Sequence, residues 1–127
     1  MRGYRIRCML RQTKARNSVI HMTEKMVNQA GAHLNAGRHV EAVDLASEAI
    51  VLDDGYSHAY VVRGHAKYAQ QQFELAVEDY SVVIVREPKN REALHGRARC
   101  HGSMQEWEKA IKVSRWSLER QSLKDNR

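Results

Sequence analysis

Side chains capable of metal binding or proton transfer are present in the sequence, but their spacing suits neither chemistry. The chain has seven histidines and two cysteines. Cys100 and His101 are adjacent, which is not the ligand spacing of a zinc site on a helix. Glu41, Asp44 and Glu48 recur every three or four residues, as acidic residues do on a solvated helix face. With no glycine-rich phosphate loop and no nucleophile motif, the sequence predicts a non-enzymatic protein without a cofactor or metal.

Small and bulky residues recur with a fixed period along most of the chain. Ala42, Ala76 and Ala110 are 34 residues apart, and other positions repeat in the same register. The matched sets are Ala30, Gly64 and Ala98; Ala32, Ala66 and Cys100; His39, Phe73 and Trp107; and Met26, Tyr60 and Leu94. Such a period predicts stacked pairs of antiparallel helices, in which small residues allow close approach. We expect six helices, at about 24–36, 39–52, 57–70, 73–86, 91–104 and 107–122.

The middle unit resembles the tetratricopeptide repeat family. The residues that carry the resemblance are Tyr60, Gly64, Phe73, Ala76, Tyr80 and Pro88. The unit departs from the family at Arg63, where leucine is frequent, and at Lys67, where an aromatic residue is frequent. The resemblance implies an all-α solenoid of three helix-turn-helix repeats that binds other proteins. The implied segments are a basic N-terminal arm (1–22), repeats at 23–56, 57–90 and 91–122, and a tail (123–127).

The N-terminal arm carries the whole formal net charge of +6. Its basic residues are Arg2, Arg5, Arg7, Arg11, Lys14 and Arg16, and it contains no acidic residue. Three interpretations are open: an extension without a role, a mitochondrial presequence, or an arm that anchors the protein to an anionic surface such as RNA. The anchoring interpretation is favoured.

The resemblance also implies a binding groove, because the first helix of each repeat lines the concave face in this family. The groove candidates are His58, Val61, Val62, His65, His95 and Arg99. Their chemistry predicts either a weakly basic groove for an acidic partner or a polar, solvated face.

A carboxylate clamp of the family's chaperone-binding members is not expected. That clamp consists of Lys, Asn, Asn, Lys and Arg, and none of the five is present here. The matching positions hold Val27, Gly31, Val62, Glu92 and Gly96. Valine cannot donate a hydrogen bond to a carboxylate, and Glu92 would repel one.

The last predicted helix carries Trp116 and Leu118, with nine residues beyond Leu118, so we expect a docking face there rather than a covering helix. The sequence as a whole predicts a protein–protein interaction adaptor or a structural or assembly subunit of a larger complex. The alternatives are a ribonucleoprotein component that contacts RNA through the arm, and a co-chaperone without a carboxylate clamp. Because no secretory signal or membrane span is evident, an intracellular and cytoplasmic location is expected, with a mitochondrial one as the alternative.

Overall fold

The computed structural model describes the backbone of residues 2–125 and the side chains of residues 14–115 and 118–120. The described backbone forms five α-helices and no strand. Successive helices are antiparallel neighbours: α1 (Arg2–Asn35), α2 (His39–Leu52), α3 (Ser57–Ala69), α4 (Phe73–Arg86) and α5 (Arg91–Asp125). The predicted all-α solenoid is therefore confirmed.

The helix pairs of the first two repeats are closed by the same type of turn. In the first repeat, Gly37 has φ +82°, and the amides of Gly37 and Arg38 donate to carbonyls of the last turn of α1. This paired hydrogen bonding is the usual way in which a left-handed residue ends a helix. In the second repeat Gln71 takes the equivalent place with φ +64°. A residue with a side chain in this conformation costs about 1 kcal/mol or more.

Small residues fill the interior between neighbouring helices, as the repeat pattern predicts. One core cluster joins α1, α2 and α3, and a second joins α3, α4 and α5. Ala42 and Ala76 are fully buried, so the period of 34 residues does mark the contact between paired helices in these repeats. At the start of α5, the Asn90 side chain accepts a hydrogen bond from the amide of Ala93, which caps the helix.

Two predicted helix boundaries are wrong. The first helix begins at Arg2 rather than near residue 24, so the backbone of the basic arm is part of α1. The break predicted between 104 and 107 is absent, because α5 runs unbroken from Arg91 to Asp125. Gln105 lies 34 residues after Gln71, at the place of the left-handed turn, and continuing the helix avoids that conformation. As a result Ala110 is exposed, unlike Ala42 and Ala76.

Candidate protein-binding surfaces

The two departures of the middle repeat from the family pattern are explained by one carboxylate. Asp79 on α4 is buried and accepts hydrogen bonds from Arg63 Nη2 (2.6 Å) and Arg63 Nε (3.0 Å) on α3. Lys67 Nζ lies 3.0 Å from Asp79 Oδ2, the oxygen that also accepts from Arg63 Nε. The hydrogen bond to Asp79 raises the pKa of the Arg63 guanidinium. Charged residues therefore occupy slots that are frequently apolar in the family, since their counter-ion is fixed on the paired helix.

The ring of Tyr80 packs between the two helices that border the groove. A Cβ atom placed on Gly64 of α3 would lie 2.8 Å from the ring, and one placed on Gly96 of α5 would lie 2.5 Å from it. Both positions therefore require glycine. The Tyr80 hydroxyl lies 2.7 Å from His65 Nδ1, and burial raises the pKa of Tyr80. This ring fixes the separation of α3 and α5.

Polar contacts join α3 and α5 along the groove. His65 Nε2 lies 3.0 Å from Glu92 Oε1, and the Tyr68 hydroxyl lies 3.2 Å from the Ser103 hydroxyl. The guanidinium of Arg99 is 4.5 Å from the centre of the Tyr68 ring, which is a cation–π distance. These contacts place one face of α5 opposite one face of α3.

The predicted groove residues divide into an accessible and a buried group. His58, His95 and Arg99 are exposed, and His65 is half-buried. Val61 and Val62 are only 1% and 6% exposed and belong to the two core clusters. Their assignment to the groove is corrected, because α3 packs against neighbours on both sides and buries both valines.

Four of the five clamp positions have a packing role or a charge that does not suit a carboxylate ligand, and Gly31, the fifth, has no side chain to donate a hydrogen bond. Val27 and Val62 are core residues, and Gly96 lies against Tyr80. Glu92 is an exposed carboxylate directed at His65. The position is thus negative where the clamp needs a cation.

The docking face predicted at Leu118 is part of a larger apolar surface on the second half of α5, and the rest of that surface was not recognised as a site from the sequence. A cleft of about 430 Å³ lies between the start of α4 and α5, where Phe73 and Leu75 face Met104 and Trp107. A second cleft of about 400 Å³ follows along α5, from Trp107 to Leu118. Trp107 and Leu118 are 59% and 69% exposed. The available signal was the spacing of apolar residues along an unbroken helix, which the predicted break concealed.

The remaining predicted sites are described only in part. Lys14 and Arg16 are exposed on α1, whereas the side chains of Arg2, Arg5, Arg7 and Arg11 lie outside the described residues. In the predicted docking face Leu118 is exposed, and the side chain of Trp116 lies outside the described residues.

Neither a group of potential metal ligands nor a membrane-spanning helix is found among the described residues. Among these residues, no three histidine, cysteine or acidic side chains are grouped in a way that could hold a metal ion. No helix formed by the described residues is both long and apolar enough to cross a membrane.

Comparison with known proteins gives relatives that share this architecture. The chain is 38% identical over 88 residues to serine/threonine-protein phosphatase T of Aspergillus oryzae, which covers 68% of this chain and 18% of the phosphatase. It is 29% identical over 98 residues to Hsp70-Hsp90 organizing protein 3 of Arabidopsis thaliana, which covers 77% of this chain and 16% of that protein. The chain thus spans less than a fifth of the length of these curated relatives.

Among solved structures, the first tetratricopeptide repeat domain of Spaghetti bound to the HSP90 peptide SRMEEVD superposes with a TM-score of 0.63. The identity is 29%, over 65% of this chain and 66% of that chain. No family model matches the chain. The stacked helical hairpins define an α-solenoid. Together with these similarities, they show that the chain is a tetratricopeptide repeat protein.

Proposed function

We propose that the chain is a non-catalytic adaptor whose α3–α5 groove binds an acidic, internal segment of a partner protein. The observation that carries the proposal is a row of exposed basic or protonatable side chains, His58, His95 and Arg99, along this groove. His58 lies seven residues before His65 and so shares its helix face. His95 lies between Glu92 and Arg99, both of which contact α3.

The charge of the groove favours an acidic partner. Arg99 is held over the Tyr68 ring and is an exposed residue, so it can pair with a carboxylate without a large loss of side-chain freedom. The carboxylate of Glu92 is directed at His65, which reduces its repulsion of an acidic ligand.

The binding mode differs from that of the Spaghetti domain, which is bound to an HSP90 peptide ending in aspartate. Because no clamp donor is present, the groove has no means to select a chain terminus. The side-chain carboxylates of an internal segment can pair with Arg99 equally well. A co-chaperone role without a clamp is compatible with this proposal, and so is a role in assembling a larger complex.

A binding experiment with defined peptides tests the proposal. Acidic peptides with amidated C-termini, neutral peptides of matched length and the peptide SRMEEVD in free and amidated forms would be titrated by isothermal calorimetry. We expect the acidic peptides to bind irrespective of amidation. Arg99→Glu should abolish binding, whereas Lys89→Glu, an identical charge reversal in the exposed α4–α5 turn, should not. Equal binding of neutral peptides, or loss of binding on amidation, would contradict the proposal.

RNA contact through the basic arm stays a prediction of the sequence. The relatives and the solved structure named above give it no support. The variant Arg99→Glu distinguishes the two modes, because it should abolish peptide binding in the groove and leave a contact between RNA and the basic arm. An intracellular location fits an adaptor of this type, and imaging of a tagged full chain would decide between cytoplasm and mitochondrion.

A further inference from the structure

The residues that pack the first half of α5 against α3 and α4 form a stripe along one side of the helix. This stripe continues along α5 beyond the part that contacts those two helices. Ala93, Gly96 and Cys100 are buried against α3 and α4. The same side of the helix then carries what we call the distal stripe: Met104, Trp107, Ile111, Ser114 and Leu118. These residues alternate in steps of three and four, which is the spacing of a seam between two helices. Met104 is half-buried, and the other four are exposed.

We propose that the distal stripe is a self-association surface, which pairs antiparallel with the distal stripe of a second copy about a two-fold axis at Ile111. This goes beyond the proposed adaptor function and involves a different surface from the α3–α5 groove. A two-fold interface requires a surface that is complementary to itself, so that residue i contacts residue j and j contacts i.

Side-chain sizes along the distal stripe satisfy that requirement. With Ile111 facing Ile111 of the second copy, Met104 is level with Leu118, and Trp107 lies within one residue, about 1.5 Å, of the level of Ser114. The largest residue of the stripe thus meets the smallest one, which gives layers of even volume. A parallel pair would instead set tryptophan against tryptophan and serine against serine.

The charges beside the stripe favour the same arrangement. Glu108 and Arg115 are exposed and seven residues apart, so they lie on the same flank of the stripe. In the antiparallel pair, Glu108 of each copy meets Arg115 of the other. Charges at such flanking positions set the orientation of paired helices.

The positions of the two clefts on α5 match the side chains that this pairing would bring to them. The cleft of about 400 Å³ is lined by Ser114 and offers space for Trp107 of the second copy. The cleft of about 430 Å³ is lined by Phe73, Met104 and Trp107 and offers an apolar site for Leu118 of the second copy. The Phe73 side chain would thereby link the interface to the helix pair of the middle repeat.

Mass measurements on the full chain test the surface. Sedimentation equilibrium of the wild type should show a concentration-dependent dimer. Ile111→Glu places two carboxylates together at the axis and should abolish the dimer. The matched control is Val113→Glu, because Val113 is 64% exposed and two residues further, about 200° around the helix. Circular dichroism should show equal helix content in both variants.

A charge exchange tests the antiparallel register. Glu108→Arg alone and Arg115→Glu alone each create two like-charge contacts, and each should weaken the dimer about tenfold. Mixing the two variants should restore dimerisation as a heterodimer, because every contact between them is then of opposite charge. A monomeric wild type, a dimer that survives Ile111→Glu, or variants that do not recover on mixing would each overturn the proposal.

Discussion

The carboxylate of Asp79 on α4 holds the guanidinium of Arg63 on α3 by two hydrogen bonds, of 2.6 and 3.0 Å. Because Lys67 also approaches this carboxylate at 3.0 Å, two cations of α3 depend on one buried anion of α4. Ion pairing therefore joins the middle helix pair where other members of the family frequently have apolar contacts.

The first prediction follows from this dependence. Asp79→Ala should lower the free energy of unfolding by roughly 3 kcal/mol, because it leaves two mostly buried cations without a partner. The double variant Arg63→Leu/Asp79→Ala should be more stable than Asp79→Ala, since it removes one of those cations. Urea unfolding of both variants measures the difference. A double variant less stable than Asp79→Ala would show that Arg63 stabilises the fold independently of Asp79.

The second prediction concerns the glycines that contact Tyr80. Gly64→Ala and Gly96→Ala should each destabilise the fold by about 1–3 kcal/mol, because the new methyl group would overlap the ring. Gly31→Ala is the matched control. Nothing lies within 4 Å of a Cβ atom at Gly31, which is inside α1, so the change should stabilise by up to about 1 kcal/mol. Thermal unfolding that ranks the three variants otherwise would contradict the close packing of Tyr80.

The third prediction concerns the turn of the second repeat. Gln71→Gly should stabilise the protein by about 0.5–1 kcal/mol, because glycine adopts the positive φ of +64° without strain. Gln70 has φ −82°, which a residue with a side chain adopts without strain. Gln70→Gly should therefore leave the stability unchanged or lower it. Chemical denaturation of the two variants measures the change in stability that each causes. Equal changes would indicate that residue 71 is not left-handed in solution.

The fourth prediction is a pH dependence that comes from Tyr80. Its pKa in the folded state is raised by burial above the ordinary value of 10.0, so folding favours the neutral phenol. The stabilising contribution is complete below about pH 10 and is lost as the pH rises above that value. Tyr80→Phe should lower stability at neutral pH, because the contact with His65 is lost, and should flatten the alkaline decline. An unchanged slope of unfolding free energy against pH in Tyr80→Phe would assign the decline to other groups.

The repeats were predictable from the sequence because a stacked fold imposes the same sizes at the same positions. The pattern alone was enough to predict the burial of Ala42 and Ala76, and both are buried in the structure. The course of the chain around residue 105 was not predictable in the same way. The choice between a turn and a continuing helix depends on the conformation of one residue, and glutamine occupies the slot in both Gln71 and Gln105.

The groove was predictable only as a set of positions on helices. A family register places Val61 and Val62 beside His65, but it does not tell how closely the neighbouring helices approach. The ring of Tyr80 between Gly64 and Gly96 sets that approach on one side of α3, where Val61 is buried, and Val62 is buried on the other side against α1 and α2. The basic residues at 2, 5, 7 and 11 stay a prediction, as does a role for Trp116.

The unequal lengths of the helices have a hydrodynamic consequence. α1 and α5 contain 34 and 35 residues, whereas the three helices between them contain 13 or 14. At 1.5 Å per residue, the outer helices are each about 50 Å long and the inner ones about 20 Å. A 14.6 kDa chain with two such rods has more friction with solvent than a sphere of equal mass, so a monomer would elute from a sizing column at the volume of a larger globular protein.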